Sequence, residues 1–226
     1  MILQSFPNGL LALPSNPPVI EEQAVLWIYQ PINGILLLAE ALVILFFLKD
    51  IFFIMPPAVS CFQRWQSALS IEHNIPWART RDKVALCLFP LYILFIQWSG
   101  IWDASLLLIG AVLFAYAQIR KVFYGFLRHR NISDEAWQAC RNTPTVFSIP
   151  LAFVWMFSMA IMSVAGVVEA ASATVLIVEA AVFLLVSAFR QAENLACRVG
   201  AFRAFLYLCA LEIVPLSALV CAFRLL

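Results

Sequence analysis

Six stretches of this chain are apolar almost without a break. The first is NGILLLAEALVILFFL with its flank AVLWIYQPI, about 26 to 48, and the second is VALCLFPLYILFIQWSGIW, about 84 to 102. ASLLLIGAVLFAYAQI follows at about 104 to 124, then VFSIPLAFVWMFSMAIMSVAGVV at about 146 to 168. The last two are ASATVLIVEAAVFLLVSAF, about 170 to 189, and AFRAFLYLCALEIVPLSALVCAF, about 201 to 223. A helix needs about 20 apolar residues to cross roughly 30 Å of hydrocarbon. The pattern predicts an all-α, polytopic membrane protein with six transmembrane helices in a single domain over residues 25–226. Pro7, Pro14, Pro17 and Pro18 predict an extended tail over residues 1–24, which has no basic n-region of a cleaved signal peptide.

The polar positions orient the chain. Lys49, Arg64, Arg79, Arg81 and Lys83 follow the first span. Arg120, Lys121, Arg128, Arg130 and Arg141 follow the third, and Arg190, Arg198 and Arg203 follow the fifth. The turns after the second and fourth spans hold only Asp103 and Glu169, and the tail only Glu21 and Glu22. Bases resist translocation and stay cytoplasmic. Of 14 Lys and Arg residues only Arg224 departs from one side, so both chain ends are expected outside. Trp27, Tyr29, Trp98 and Trp102 would then lie at the outer interface, where aromatic belts form.

Composition agrees. Hydrophobic residues make up 64% and charged residues 12% of 226, with a mean hydropathy of +0.92. Soluble domains carry about 25% charged residues, so the expected solvent is lipid. With a net charge of +1 the chain has no basic excess for nucleic acid. The expected setting is multi-pass in a bacterial inner membrane, with the bilayer and a membrane-protein partner or second copy as neighbours.

On the inner face, AVSCFQRWQSALS places apolar residues at 58, 61, 62, 65, 68 and 69, one face of a helix. Phe62, Arg64 and Trp65 mark it as a short amphipathic helix, lying either in the interface or against the protein's own loops. A second short helix should start after Ser133, with Asp134 and Glu135 in its first turn, and end at Asn142-Thr-Pro144. Arg128, His129 and Arg130 are candidate headgroup contacts. The six cysteines show no framework spacing and read as free thiols. His73, His129, Cys61, Cys140 and Cys197 share this face, but no spacing announces a metal site or any other cofactor.

Three carboxyl groups lie inside spans: Glu40, Glu179 and Glu212. Counted from Lys49, Arg190 and Arg203, they sit at depths of about 14 to 17 Å, near the middle of the bilayer. No base is expected at that level. An ionised carboxylate there costs at least about 3 kcal/mol, so each group should be protonated, share a proton or meet a cation. Pro215 frees the Leu211 carbonyl beside Glu212, and Tyr207 is a further local partner. These groups are candidates for a proton or cation site, or for polar contacts that hold helices in register. HExxH, GxSxG and P-loop patterns are absent from the sequence, and both histidines fall in loops, so a non-enzymatic role is expected. Two functions remain: an accessory, scaffold or assembly subunit of an envelope complex, and a small proton- or cation-coupled transporter.

The stretch FLYLCALEIVPL, residues 205 to 216, resembles the signature of an uncharacterised family of six-helix inner-membrane proteins of Bacteroidota type. Tyr207, Leu208, Cys209, Leu211, Glu212 and Pro215 carry the resemblance, with Ala210 in place of the usual threonine. FSIPL at 147–151 is a weaker match to the family's entry to its fourth span. The resemblance implies a six-helix fold and an inner-membrane setting, with no activity attached, and implies that the Glu–Pro pair belongs to the family design.

Overall fold

The computed structural model describes residues 31–64, 66–101, 105–127, 132–165, 169–215, 217 and 221. Helix dominates them, and no strand occurs among the described residues. In chain order the helices are α1 (Pro31–Phe46), α2 (Leu48–Gln63), α3 (Gln66–His73), α4 (Ile75–Trp98), α5 (Leu106–Phe126), α6 (Asp134–Ala165), α7 (Glu169–Val199) and α8 (Ala201–Leu208). A π-helical turn over Cys209–Ile213 continues α8.

Among the described residues, three helices are long and apolar enough to cross a membrane: α5, α6 and the Ala171–Val199 part of α7. A fourth, shorter apolar helix covers Asn33–Phe46. Their outward faces carry large apolar side chains that water would penalise. Phe46 is 83% exposed, Leu107 87% and Phe126 86%. Large apolar side chains this exposed mark lipid-facing surface or protein contact.

At about 1.5 Å per residue, α6 and α7 each run well past the roughly 30 Å of hydrocarbon. This corrects the expectation that a separate short helix ends at Asn142-Thr-Pro144. Helix α6 does begin directly after Ser133 with Asp134 and Glu135 in its first turn, but it runs on through Pro144 and Pro150. Pro144 and Pro150 have no N–H to give the Cys140 and Val146 carbonyls, and side chains bond to other carbonyls nearby. Thr143 Oγ1 donates to the Ala139 carbonyl at 2.7 Å, Ser148 Oγ donates to the Thr145 carbonyl at 2.8 Å, and the Tyr92 hydroxyl donates to the Ser148 carbonyl.

Helix α6 is the hub, packing against α2, α3, α4 and α7. The main core gathers Ile54, Ile71, Val84, Leu88, Ile149 and Trp155 from these elements, together with Leu176 of α7. Helix α5 stands to one side, against α4 and the π turn. Gly110 eases its approach to α4, since a Cβ there would lie 3.1 Å from Ile93 Cδ1, a tight contact.

The amphipathic segment differs from expectation. The chain breaks at Arg64 between α2 and α3, so residues 58–69 form no single surface helix. Ile51, Ile54, Ala58 and Cys61 form the inward face of α2 and are all at most 2% exposed. The Phe62 ring stacks 4.5 Å from Phe147 and 5.3 Å from Phe183, while Arg64 is exposed. The apolar stripe is therefore satisfied by the protein's own α4 and α6. Arg190 of α7 donates to the Phe62 carbonyl, placing a cation at the negative end of α2. Trp65, the extended tail, and Arg128, His129 and Arg130 lie outside the described residues.

Burial also decides thiol chemistry. Cys61 donates weakly to the Pro57 carbonyl at 3.3 Å, and burial pushes its thiol up to about 12. It stays protonated near neutral pH, whereas Cys197 is exposed. At pH 7.5, mass spectrometry after maleimide treatment of the folded protein is expected to find adduct on Cys197 and none on Cys61. Equal modification of both would contradict the packing of α2.

The α7–α8 junction is set by Gly200, whose φ of 88° and ψ of 152° suit glycine almost alone. Gly200→Ala is expected to cost about 1–3 kcal/mol in reversible unfolding from detergent, although a Cβ there meets nothing within 4 Å.

Candidate functional site: a charged clasp beside a π turn

The polar site sits where α5, the start of α6, the end of α7 and the π turn meet, around a second, smaller core. Tyr124, Ile132, Trp137, Cys140, Leu195 and Leu211 form that core. Helix α5 stays apolar along its outer face through Ile119, Val122 and Phe126, while Arg120 and Tyr124, one turn apart, point inward and are 8% and 1% exposed. Opposite them, the Val214 N–H bonds to the Cys209 carbonyl across the widened turn. Pro215, which has no N–H to continue the α-helical ladder, is buried just after it. Such turns re-aim side chains and recur at functional positions. Here the turn carries Glu212.

Arg120 grips that carboxylate from two sides. Its Nη2 lies 2.6 Å from Glu212 Oε1, and its Nε lies 3.1 Å from each carboxylate oxygen. The Tyr124 hydroxyl donates to the same Oε1 at 2.8 Å, and the Arg120 guanidinium lies 4.9 Å from the Tyr124 ring centre. Fork-on-carboxylate geometry of this kind is charge-assisted and directional. The sequence expectation that no base lies at the level of Glu212 is thereby corrected. Arg120 belongs to α5 rather than to a loop, and it neutralises the carboxylate directly.

The surrounding shell is also polar. Gln191 Oε1 lies 3.4 Å from the Tyr124 hydroxyl, Trp137 Nε1 donates to the Tyr124 carbonyl at 2.9 Å, and Asn194 Nδ2 donates to the Ala136 carbonyl at 3.4 Å. The Tyr124 hydroxyl has one proton, which goes to Glu212 in the shorter bond. Gln191 with its amide reversed would donate Nε2 to the hydroxyl oxygen, completing a Gln191–Tyr124–Glu212 chain. The Tyr207 ring stands edge-on to Trp137, with centres 6.1 Å apart.

The other two carboxyls keep different company. Glu179 on α7 accepts from Ser158 of α6, and its Oε2 is buried without a partner. Glu40 is 6% exposed on α1, which packs on α4, and its Oε1 is likewise unpartnered. Each of the three carboxyls thus meets a different set of helices. A further buried pair was missed from the sequence. Arg81 of α4 bonds Glu72 of α3, with side-chain exposures of 3% and 7%, and Asn142 of α6 donates to the same Glu72 oxygen at 3.1 Å. Among the described residues no three His, Cys, Asp or Glu side chains lie together in a way that would hold a metal ion.

No family model, no curated protein and no solved structure matches this chain, so the geometry above carries the functional reading.

Proposed function

We propose that this chain is a non-enzymatic, multi-pass protein of a bacterial inner membrane, and that it serves as a scaffold or assembly subunit of a larger envelope complex. Six crossings with both ends outside follow from the alternation of basic and base-free connections. The resemblance of FLYLCALEIVPL to the six-helix inner-membrane family supports the same setting. One observation carries the role. The most polar position in the C-terminal helix is matched by Arg120, so its chemistry is spent on fastening one helix to another. Helix α5, held by that clasp and by α4, turns Leu107, Phe114, Val122 and Phe126 outward as a broad apolar face. A photo-crosslinking side chain at Phe114 or Val122 in intact membranes is expected to trap one discrete protein partner or a second copy. Crosslinks to lipid alone would contradict the proposal.

A second reading is favoured by the unpartnered oxygens of Glu40 and Glu179. Buried carboxyls in a membrane protein tend to stay neutral or to take up a proton or cation, and they mark ion pathways. On this reading the protein is a small proton- or cation-coupled transporter. Glu40→Gln and Glu179→Gln would then fold normally yet abolish pH-driven uptake in proteoliposomes. Unchanged uptake in both variants would remove the reading.

A further inference from the structure

The inward face of α7 is unusually polar for a helix of this hydropathy. Ser187, Gln191 and Asn194 follow the i, i+4, i+7 spacing that keeps residues on one face. They are 2%, 1% and 3% exposed. Each holds a buried polar atom without a protein partner: Ser187 Oγ, Gln191 Nε2 and Asn194 Oδ1. The Nε of Arg190, on the same turns, is a fourth. One orphan can reflect local misfit, but four within about 10 Å of helix require a shared explanation.

Packing alone does not supply one. An unsatisfied buried polar group costs about 1–3 kcal/mol, and reversing the Gln191 amide only moves the orphan from nitrogen to oxygen. This face offers a hydroxyl at Ser187, one free end of the Gln191 amide, and the Asn194 carbonyl. A ligand that both donates and accepts fits that set, and it must be small enough for a helix–helix seam. Water meets both conditions, typically making about three hydrogen bonds at a buried site.

We propose that Ser187, Gln191 and Asn194 hold a file of bound water molecules along the inner half of α7, next to the clasp. The file joins Asn194 and Gln191 to the Tyr124 hydroxyl and through it to Glu212 and Arg120. Toward the middle of α7 it is closed by Phe183, which stands partly buried between Ser187 and Glu179 on the same face and packs edge-on to Phe62. The ion pair is then solvated from within, while its outer edge is only slightly exposed. This holds for a scaffold and for a transporter alike, so its failure would leave the proposed function standing.

Brief X-ray exposure of the full chain in detergent, followed by mass spectrometry, tests it. Hydroxyl radicals formed from water modify side chains within reach, so a buried residue is labelled only where water is bound beside it. Tyr124, whose hydroxyl lies 3.4 Å from the Gln191 amide, and Cys140, 3.9 Å from that hydroxyl, are 1% and 0% exposed and are the reporters. Both are expected to be oxidised in the wild-type protein and to lose that labelling in Gln191→Leu/Asn194→Leu, while the half-buried Trp77 is labelled equally in both. Absence of modification at Tyr124 and Cys140 in the wild type overturns the proposal, whether or not the variant folds. Labelling that persists unchanged in a folded variant overturns it as well.

Discussion

Glu212→Leu is expected to destabilise the protein by roughly 3–5 kcal/mol, because it leaves the Arg120 guanidinium buried with no counter-charge. Side-chain exposures of 10% for Arg120 and 14% for Glu212 leave little bulk water, and bound water supplies no counter-charge. Arg120→Met should cost a similar amount by stranding the carboxylate. The double variant Arg120→Met/Glu212→Leu is expected to recover most of the loss, since burying a pair costs desolvation that apolar side chains do not incur. Tyr124→Phe should be milder, at about 1–2 kcal/mol, as it removes one hydrogen bond to a charged acceptor. Reversible unfolding in mixed micelles gives all four values. Losses in the double variant equal to the sum of the singles would show that the two residues act separately. The clasp would then not be what holds α5 to the C-terminal helix.

Arg81→Leu is the second large effect, expected at about 3 kcal/mol by the same logic. Glu72 would remain enclosed with only the Asn142 amide to satisfy it. Because this pair ties α3 to α4 and to α6, limited proteolysis near residues 64–74 should accelerate along with the loss of stability. A useful contrast is His73 with Glu135, 3.4 Å apart but 52% and 61% exposed. His73→Ala should change stability by no more than about 0.5 kcal/mol, since exposed pairs contribute little. Similar losses at both sites would mean that burial is not what sets the difference.

Much of the helical architecture was legible because long apolar runs leave the chain few alternatives. Helix over residues 31–46, over 106–124 and over 170–189 follows directly from where the oily stretches lie. Helix ends were less legible. The basic residues that look like loops are carried on helical extensions, as with Arg141 in α6 and Arg190 in α7. A charge breaks a hydropathy window without breaking a helix. Residues 58–69 left two readings open. A stripe of apolar residues looks the same whether it meets lipid or α6, and only the tertiary contacts separate the two.

Glu212 was found from its setting, and its partner was not. Arg120 sits where the positive-inside pattern wants a loop base, which hid it. The signal lay in its neighbours along the chain. Ile119, Val122, Phe123 and Phe126 keep the apolar helix going past the arginine, and Arg120 and Tyr124, four residues apart, share one face. The Arg81–Glu72 pair gave no such signal, because its members come from different helices whose approach depends on the break at Arg64. The π turn was foreshadowed only by Pro215, and a proline tells where a helix is disturbed without saying how.

The proposed threading is tested most directly by single-cysteine labelling of intact cells with a membrane-impermeant maleimide. In a background lacking the other native cysteines, the three variants would carry Asp103→Cys, Val168→Cys, or native Cys197 alone. Six crossings with both ends outside predict that positions 103 and 168 react on intact cells and that Cys197 reacts only after the membrane is opened. Reaction of Cys197 on intact cells, with positions 103 and 168 protected, would reverse the threading and remove the basis of the account.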